Sequence, residues 1–167
     1  MWLLLESGAS VGAATGDGYT ALFAACQKGQ LECVRLLLGA NADADQAKGD
    51  GATPLYIACQ KGQLECAQLL LEAGAAVNQV KNNGATPLFI ACQEGRLECV
   101  QLILEAGAAV DQATGCGATP LSAASLAGQI DCVRLMIAAG AAVNQADADG
   151  FTPLYVCLLY TSPSPRD

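Results

Sequence analysis

Residues 48–80 read KGDGATPLYIACQKGQLECAQLLLEAGAAVNQV, and residues 81–113 carry the same amino acid at 24 of the 33 equivalent positions. The similarity extends to both sides, because five threonines recur every 33 residues and each opens a related tetrapeptide. A fixed period of this length indicates a chain built from repeated structural units. The tetrapeptides are Thr20-Ala21-Leu22-Phe23, Thr53-Pro54-Leu55-Tyr56, Thr86-Pro87-Leu88-Phe89, Thr119-Pro120-Leu121-Ser122 and Thr152-Pro153-Leu154-Tyr155.

The local chemistry of one unit predicts two short helices. Thr53 is suited to cap a first helix with its hydroxyl group, and Pro54 fits the first helical position, where no backbone N–H is needed. Gly62 ends this helix, and a second helix begins near Leu64 and ends at Gly74. The apolar residues of the second helix follow the spacing of a buried face: Leu64, Ala67, Leu70 and Leu71.

Short polar motifs separate the helices and the units. Asn41 stands where the next unit has Gly74, which fits because Gly and Asn best tolerate the left-handed conformation of a helix C-terminus. Between units, Asp-Gly or Asn-Gly pairs are typical of two-residue β-hairpin turns. These pairs are Asp17-Gly18, Asp50-Gly51, Asn83-Gly84 and Asp149-Gly150, with Cys116-Gly117 as the exception.

This order of motifs resembles the ankyrin repeat family. One complete copy of the family pattern runs through Gly84-Ala85-Thr86-Pro87-Leu88, Gly95, Leu102-Ile103-Leu104 and Gly107-Ala108-Ala109-Val110-Asp111. The resemblance covers the chain from Leu3 to about Val156. It implies an all-α repeat solenoid, an ankyrin-type stack of helix-turn-helix units joined by β-hairpin-like turns.

One departure from the family pattern is systematic. In the family, a histidine in the tetrapeptide ties neighbouring units together by hydrogen bonds. Here we expect aromatic packing to take over that role. The residues at this position are Phe23, Tyr56, Phe89, Ser122 and Tyr155.

The repeat register divides the chain into four complete units with a partial unit on either side. We expect residues 1–14 to supply only a second helix and residues 147–157 only a first helix, so that the chain reads as a fragment of a longer array. Residues 158–167 fit nothing in the repeat; a join to foreign sequence is the preferred interpretation, and a natural disordered tail is the alternative. The complete units are residues 15–47, 48–80, 81–113 and 114–146.

Composition and charge exclude several classes of function. The chain has 8 Lys and Arg residues against 16 Asp and Glu residues, and its net charge of −8 argues against nucleic acid as a partner, because an acidic surface repels phosphates. The absence of histidine removes the commonest general base and most zinc sites. With no signal peptide and no run suited to a membrane span, we expect a monomeric cytoplasmic protein with reduced thiols, no membrane insertion and no cofactor or metal.

The nine cysteines are the next candidates for chemistry. Seven of them fall in two columns of the repeat, which we interpret as small buried apolar residues; a metal-binding ladder and disulfide bonds within units are the alternatives. Cys116 differs because it lies at a hairpin tip. One interpretation is a thiol that is redox-sensitive or contacts a partner, and the alternative is neutral sequence drift at a turn that tolerates substitution. The columns are Cys26, Cys59 and Cys92, and Cys33, Cys66, Cys99 and Cys132.

Acidic and amide residues form two further columns with predicted structural roles. One column opens the second helices, where a negative charge complements the helix dipole. The other follows the second helices and is interpreted as turn-forming. Neither has the clustering that acid–base catalysis or calcium binding needs, so we predict no enzymatic activity. The columns are Glu32, Glu65, Glu98 and Asp131, and Asp45, Asn78, Asp111 and Asn144.

The resemblance also implies where a partner docks. Partners of the family usually bind the hairpin tips and the adjoining concave face of the first helices, so the prediction is a non-catalytic protein–protein interaction module. A mechanical spacer and a substrate-recruiting arm of a larger multidomain protein are the alternatives. The predicted contact residues are Asp17, Tyr19, Gln27, Lys28, Asp50, Gln60, Lys61, Asn83, Gln93, Glu94, Cys116, Leu126, Asp149 and Phe151.

Leu126 stands out among these residues because the earlier units have glutamine at its position. With Ala127 it makes a small apolar step near Cys116 and Phe151, of the kind that anchors interfaces. Packing of Leu126 against the last unit is the alternative.

Overall fold

Pairs of helices follow one another along the described part of the chain. The computed structural model describes Leu3 and residues 6–160, apart from the side chains of residues 159 and 160. The first helices are α1 (Ala21–Lys28), α3 (Pro54–Lys61), α5 (Pro87–Gln93), α7 (Pro120–Leu126) and α9 (Pro153–Tyr160). The second helices are α2 (Leu31–Gly39), α4 (Leu64–Glu72), α6 (Leu97–Glu105) and α8 (Ile130–Ala138). The predicted all-α repeat architecture is confirmed.

The partial units at the two ends are described only in part. Leu3 and Glu6 are helical, and the Ser7 hydroxyl donates a hydrogen bond to the Leu3 carbonyl oxygen at 2.6 Å. Residues 1, 2, 4 and 5 of the predicted second helix lie outside the described residues, as do residues 161–167 of the predicted tail. Helix α9 continues to Tyr160, past the predicted boundary of the last unit at residue 157.

A threonine caps each first helix, as the tetrapeptides predict. In α3 the Thr53 hydroxyl oxygen accepts a hydrogen bond from the backbone N–H of Tyr56 at 3.1 Å, and Pro54 occupies the first turn. Replacing such a cap by alanine costs about 0.5–2 kcal/mol, so the caps fix where each helix begins. The same bond forms at Thr20, Thr86, Thr119 and Thr152.

The predicted helix ends are also confirmed at the residues that require a left-handed backbone. Gly62 caps α3 with a φ of 71°, and Gly74 follows α4 with a φ of 86°. Asn41, at the position equivalent to Gly74, has a φ of 62° and is the one non-glycine with positive φ among the described residues. Asparagine tolerates this conformation better than other side chains do, so the repeat keeps its geometry without glycine.

Equivalent helices of successive repeats stack into two rows that share one core. The first helices contact one another in chain order from α1 to α9, and the second helices do so from α2 to α8. Leu55 and Leu88 of the first row and Leu70 and Ile103 of the second row are 0% exposed. Burying each such side chain contributes about 1.5–3 kcal/mol, so apolar contact between repeats is the main stabilising term.

The burial of a first-helix leucine depends on the repeat that follows it. Leu55 and Leu88 are 0% exposed and Leu121 is 2% exposed, but Leu154, at the same position of α9, is 71% exposed. Ile137 of α8 is likewise 52% exposed. Each inner repeat therefore completes part of its core with side chains of its successor, which couples neighbouring repeats energetically.

The turns between repeats differ from the predicted two-residue hairpins. In one of them the N–H of Gly51 donates to the Lys48 carbonyl oxygen at 2.8 Å, and the N–H of Lys48 donates to the Ala52 carbonyl oxygen at 2.9 Å. Only Gly51 has positive φ, whereas a type I′ hairpin needs positive φ at both central residues. The turn is thus the three-residue kind with a left-handed glycine, and the position of Asp50 makes no special backbone demand. This explains why a cysteine fits there in a later repeat.

Backbone hydrogen bonds join each turn to the next. The N–H of Gly49 donates to the carbonyl oxygen of Asp17 in the preceding turn at 2.9 Å. Each turn is therefore held by its neighbour as well as by its own repeat. Equivalent bonds of 2.9 Å run from Asn82 to Asp50, from Gly115 to Asn83 and from Ala148 to Cys116.

A second set of hydrogen bonds corrects the interpretation of the column that contains Asn78. Its Oδ1 accepts from the N–H of Ala109 in the next repeat at 2.9 Å, so the side chain bridges two repeats as well as ending its own. The turn-forming interpretation considered one unit in isolation and therefore did not include this contact between repeats. The equivalent bonds, both of 2.9 Å, join Asp45 to Ala76 and Asp111 to Ala142.

The two cysteine columns are mainly buried within the stack. Burial raises the pKa of the Cys59 thiol well above its usual range, and it raises the pKa of Cys26 to about 12, with a smaller contribution from nearby Cys66. Cys33 is the partly exposed member of these columns. Within residues 6–160 no three Cys, Asp or Glu side chains are placed to share a metal ion. The positions therefore fit small apolar residues.

Candidate protein-binding surface

The turns and the first helices meet in two depressions that contain part of the predicted site. The first, the polar cleft, holds Tyr19, Gln27, Asp50 and Gln60 of the predicted contact residues. The second, the apolar groove, holds Gln93 and Leu126. The other predicted residues, which line neither depression, are Asp17, Lys28, Lys61, Asn83, Glu94, Cys116, Asp149 and Phe151.

The polar cleft has a volume of about 160 Å³ and is organised around one carboxylate. Asp50 lies 3.1 Å from the Lys81 ammonium group and 3.4 Å from that of Lys48. Desolvation acts to raise the pKa of Asp50. Hydrogen bonds from Lys81 and from the Ala52 N–H act in the opposite direction, as do the positive charges of both lysines. Together they outweigh desolvation, so the pKa of Asp50 lies below its ordinary value. Lys81 thus links its own turn to the preceding one, whereas Lys48 pairs with Asp50 within a single turn.

Aromatic rings complete the polar cleft. The Lys48 ammonium group lies 4.9 Å from the ring centre of Tyr19, and that of Lys81 lies 5.7 Å from the ring centre of Tyr56. Tyr19 also meets Phe23 edge-on, with ring centres 5.2 Å apart. Lys81 belongs to the repeat after that of Tyr56, so an aromatic side chain does contact the neighbouring unit at the position of the family's histidine.

Sequence reasoning missed Lys48 and Lys81 as parts of this surface. Both occupy one column of the repeat, two residues before the turn position of Asp50 or its equivalent. The 33-residue spacing of these two lysines was visible in the sequence. The contact of Lys81 with Asp50 of the preceding repeat depends on how repeats stack, which the spacing alone did not show.

The apolar groove has a volume of about 350 Å³ and lies between α5, α7 and α9. Leu126 lines it and is 44% exposed, in the same depression as Val156 of the last repeat. Cys116 and Phe151, which the sequence placed near this step, do not line the groove; the Phe151 ring instead stacks on Tyr155 at 4.8 Å. The groove is lined by Phe89, Gln93, Ala118, Ser122, Ala123, Leu126, Ala127, Asp147 and Val156.

Cys116 is the exposed thiol at a turn tip that the sequence indicates. Its Sγ lies 3.2 Å from the Thr114 hydroxyl oxygen, and this hydrogen bond lowers the pKa of the thiol below its ordinary value. Its backbone carbonyl belongs to the ladder between turns. The side chain is therefore available at the surface and ionises more easily than the buried thiols.

A stack of helix pairs with a 33-residue period defines a class of helical repeat proteins. The family model described as "Ankyrin repeats (3 copies)" matches residues 1–80, 36–114 and 108–164, so the chain belongs to the ankyrin repeat family. No curated protein sequence gives a significant match.

Membership of this family fixes the general character of the chain. Ankyrin repeats are generally protein–protein interaction modules and are typically non-catalytic. Among the described residues, every helix is too short to cross the apolar layer of a membrane.

Proposed function

We propose that this chain binds another protein across the turn tips and the exposed sides of the first helices, with the apolar groove as the main contact. The groove carries the proposal, because it combines a half-exposed Leu126 with apolar walls contributed by three successive repeats. A large apolar side chain of a partner loses its contact with water on entering such a depression, which is how binding hot spots arise.

The rigidity of the surface supports this function. Ladder bonds between turns, such as that from Gly115 to Asn83, fix each tip relative to the next. The ion pair between Asp50 and Lys81 of the next turn does the same around the polar cleft. A surface that is ordered before the partner arrives loses little conformational freedom on binding, so more of the contact energy appears as affinity.

A binding role without catalysis also fits the titratable groups. The chain has no histidine, and Glu32, Glu65 and Glu98 lie in the first turns of second helices, where they complement the helix dipole. The thiol with a lowered pKa, Cys116, lies at an exposed turn tip, where its side chain hydrogen-bonds to the Thr114 hydroxyl group. The titratable groups therefore favour a role in protein binding over a role in catalysis.

The experiment that tests the proposal compares affinity capture by the wild-type chain with capture by Leu126→Glu and Lys61→Glu. Both side chains are exposed, and each substitution places a negative charge on the proposed surface. We expect partner recovery to fall several-fold for Leu126→Glu, because a charge in the groove removes apolar contact and must be desolvated. Lys61→Glu is expected to have the smaller effect of a rim position.

Arg134→Glu is the matched control, because Arg134 is an exposed residue of second helix α8. All variants should keep the helical circular dichroism of the wild type. Tyr19→Ala is also expected to weaken capture, although its ring supports Phe23 and Lys48 and therefore affects the local structure. Equal recovery by the wild type and Leu126→Glu, or a loss confined to Arg134→Glu, would place the binding surface elsewhere.

A further inference from the structure

Two columns of the proposed binding surface change along the stack from lysine to acidic or uncharged residues. At the turn position that begins each repeat, the residues are Thr15, Lys48, Lys81, Thr114 and Asp147 in chain order. At the end of the first helices they are Lys28, Lys61, Glu94 and Ala127. Between residues 97 and 160, the one Lys or Arg residue is Arg134. It lies on the second helix α8 and not on a first helix. In these two columns the charged side chains near the polar cleft are lysines, whereas the charged side chain that lines the apolar groove is Asp147.

The two ends also differ in how far their charges are neutralised. Lys48 and Lys81 are paired with Asp50 and lie beside tyrosine rings. Asp147, which lines the apolar groove, is within ion-pair distance of no Lys or Arg among the described residues. A ligand cation would be the first opposite charge that this carboxylate meets.

Backbone groups hold the Asp147 carboxylate in place. Its Oδ1 accepts hydrogen bonds from the N–H of Asp149 at 3.0 Å and from the N–H of Phe151 at 2.9 Å. These bonds orient the group at the edge of a groove that also contains Leu126 and Val156. A negative charge is thus fixed beside an apolar depression. Such an arrangement selects a ligand by both its apolar surface and its positive charge.

We propose that the apolar groove binds a segment of the partner that carries a large apolar side chain next to a lysine or arginine. The apolar side chain would enter between Phe89, Leu126 and Val156, and the basic group would pair with Asp147. This inference rests on the proposed function and names the chemistry of its partner. The volume of about 350 Å³ is near the lower end of the range of about 300–1,000 Å³ for ligand pockets, so the groove suits a few side chains of a larger partner.

Random peptides displayed on phage provide the probe. A library of 12-residue peptides is selected on the immobilised wild-type chain, the enriched peptides are synthesised, and their affinities are measured by fluorescence anisotropy. We expect the enriched sequences to place Leu, Ile, Phe or Met within a few residues of Lys or Arg. Enrichment of acidic or purely polar peptides, or no enrichment over a blocked surface, would overturn the proposal.

Two variants separate the apolar and ionic contacts. Leu126→Gln introduces the residue that the earlier repeats have, and we expect about tenfold weaker binding, from the loss of one apolar contact worth roughly 1.5 kcal/mol. Asp147→Asn keeps the oxygen that accepts the two backbone bonds but removes the charge, and we expect binding about two- to fivefold weaker at low salt. The difference in affinity between the wild type and Asp147→Asn should become smaller as the salt concentration is raised, because salt screens exposed ion pairs.

Matched substitutions on the second helix provide the controls. Asp131→Asn changes the net charge as Asp147→Asn does, and Ile130 is an exposed apolar residue that can be changed to glutamine in parallel with Leu126. We expect neither control to alter peptide affinity. Peptides that respond equally to Asp147→Asn and Asp131→Asn would refute the ionic contact. Peptides whose binding depends on Leu126 but is unchanged by Asp147→Asn would refute this inference while leaving the proposed function standing.

Discussion

Leu88 and Leu154 occupy the same position of two repeats and differ completely in burial. Leu88 of α5 is 0% exposed, whereas Leu154 of α9 is 71% exposed. The same substitution at both positions, Leu→Ala, therefore measures what the packing of neighbouring repeats contributes. The chemistry of the change is identical, so the difference between the two variants reports burial.

The expected magnitudes follow from this contrast. Removing a buried leucine side chain costs about 2–5 kcal/mol, from lost transfer energy and the cavity left behind. An exposed position costs about 0.5 kcal/mol or less. At about 2–4 °C per kcal/mol for a chain of this size, Leu88→Ala should lower the melting temperature by roughly 4–20 °C and Leu154→Ala by about 2 °C or less.

Far-ultraviolet circular dichroism during thermal and urea unfolding provides the assay. Because repeat arrays do not always unfold in one step, the shape of each transition is compared with that of the wild type before midpoints are assigned. Equal losses for the two variants would refute the reasoning, since the burial of Leu88 by its neighbours would then contribute nothing measurable. A larger loss for Leu154→Ala would refute it more strongly.

Two other predictions concern contacts that the repeat pattern does not reveal. Asn78→Ala should lower the free energy of unfolding by about 1 kcal/mol, because the hydrogen bond that its Oδ1 accepts from the N–H of Ala109 in the next repeat is lost. Asn144→Ala is the control in urea unfolding, and equal effects of the two substitutions would contradict the inter-repeat role of Asn78. Iodoacetamide should alkylate Cys116 in the folded chain, and the rate should rise through a midpoint at lower pH than for an ordinary cysteine thiol, because the hydrogen bond with Thr114 lowers the pKa of Cys116. Cys59, buried with a raised pKa, should react only after unfolding, and modification of Cys59 first in peptide mapping would contradict this.

The features predicted correctly from the sequence are those set within a few residues of the chain. A threonine followed by a proline is well suited to begin a helix, and Thr53 caps α3 in this way. The left-handed backbone at Asn41 follows from the chemistry of one residue at a helix end. Local rules of this kind can be applied without knowing how the repeats stack.

The features that were missed depend on the placement of one repeat against the next. The bond of Asn78 to Ala109 and the pairing of Lys81 with Asp50 join residues 31 positions apart. The apolar groove is formed by side chains of three repeats, so the sequence marked Leu126 as unusual but gave no means of placing Phe89 or Val156 beside it. Such contacts appear only when the stacking geometry is known.

Site-specific photo-crosslinking tests the central claim most directly. A photoreactive phenylalanine analogue is introduced in place of Leu126 in the apolar groove or, as the control, in place of Arg134 on α8. Both chains are irradiated in cell extract and the adducts are identified by mass spectrometry. If partners dock on the turn side of the stack, discrete protein adducts should form from position 126 and be absent from position 134. Adducts that form only from position 134 would contradict the assignment of the binding surface.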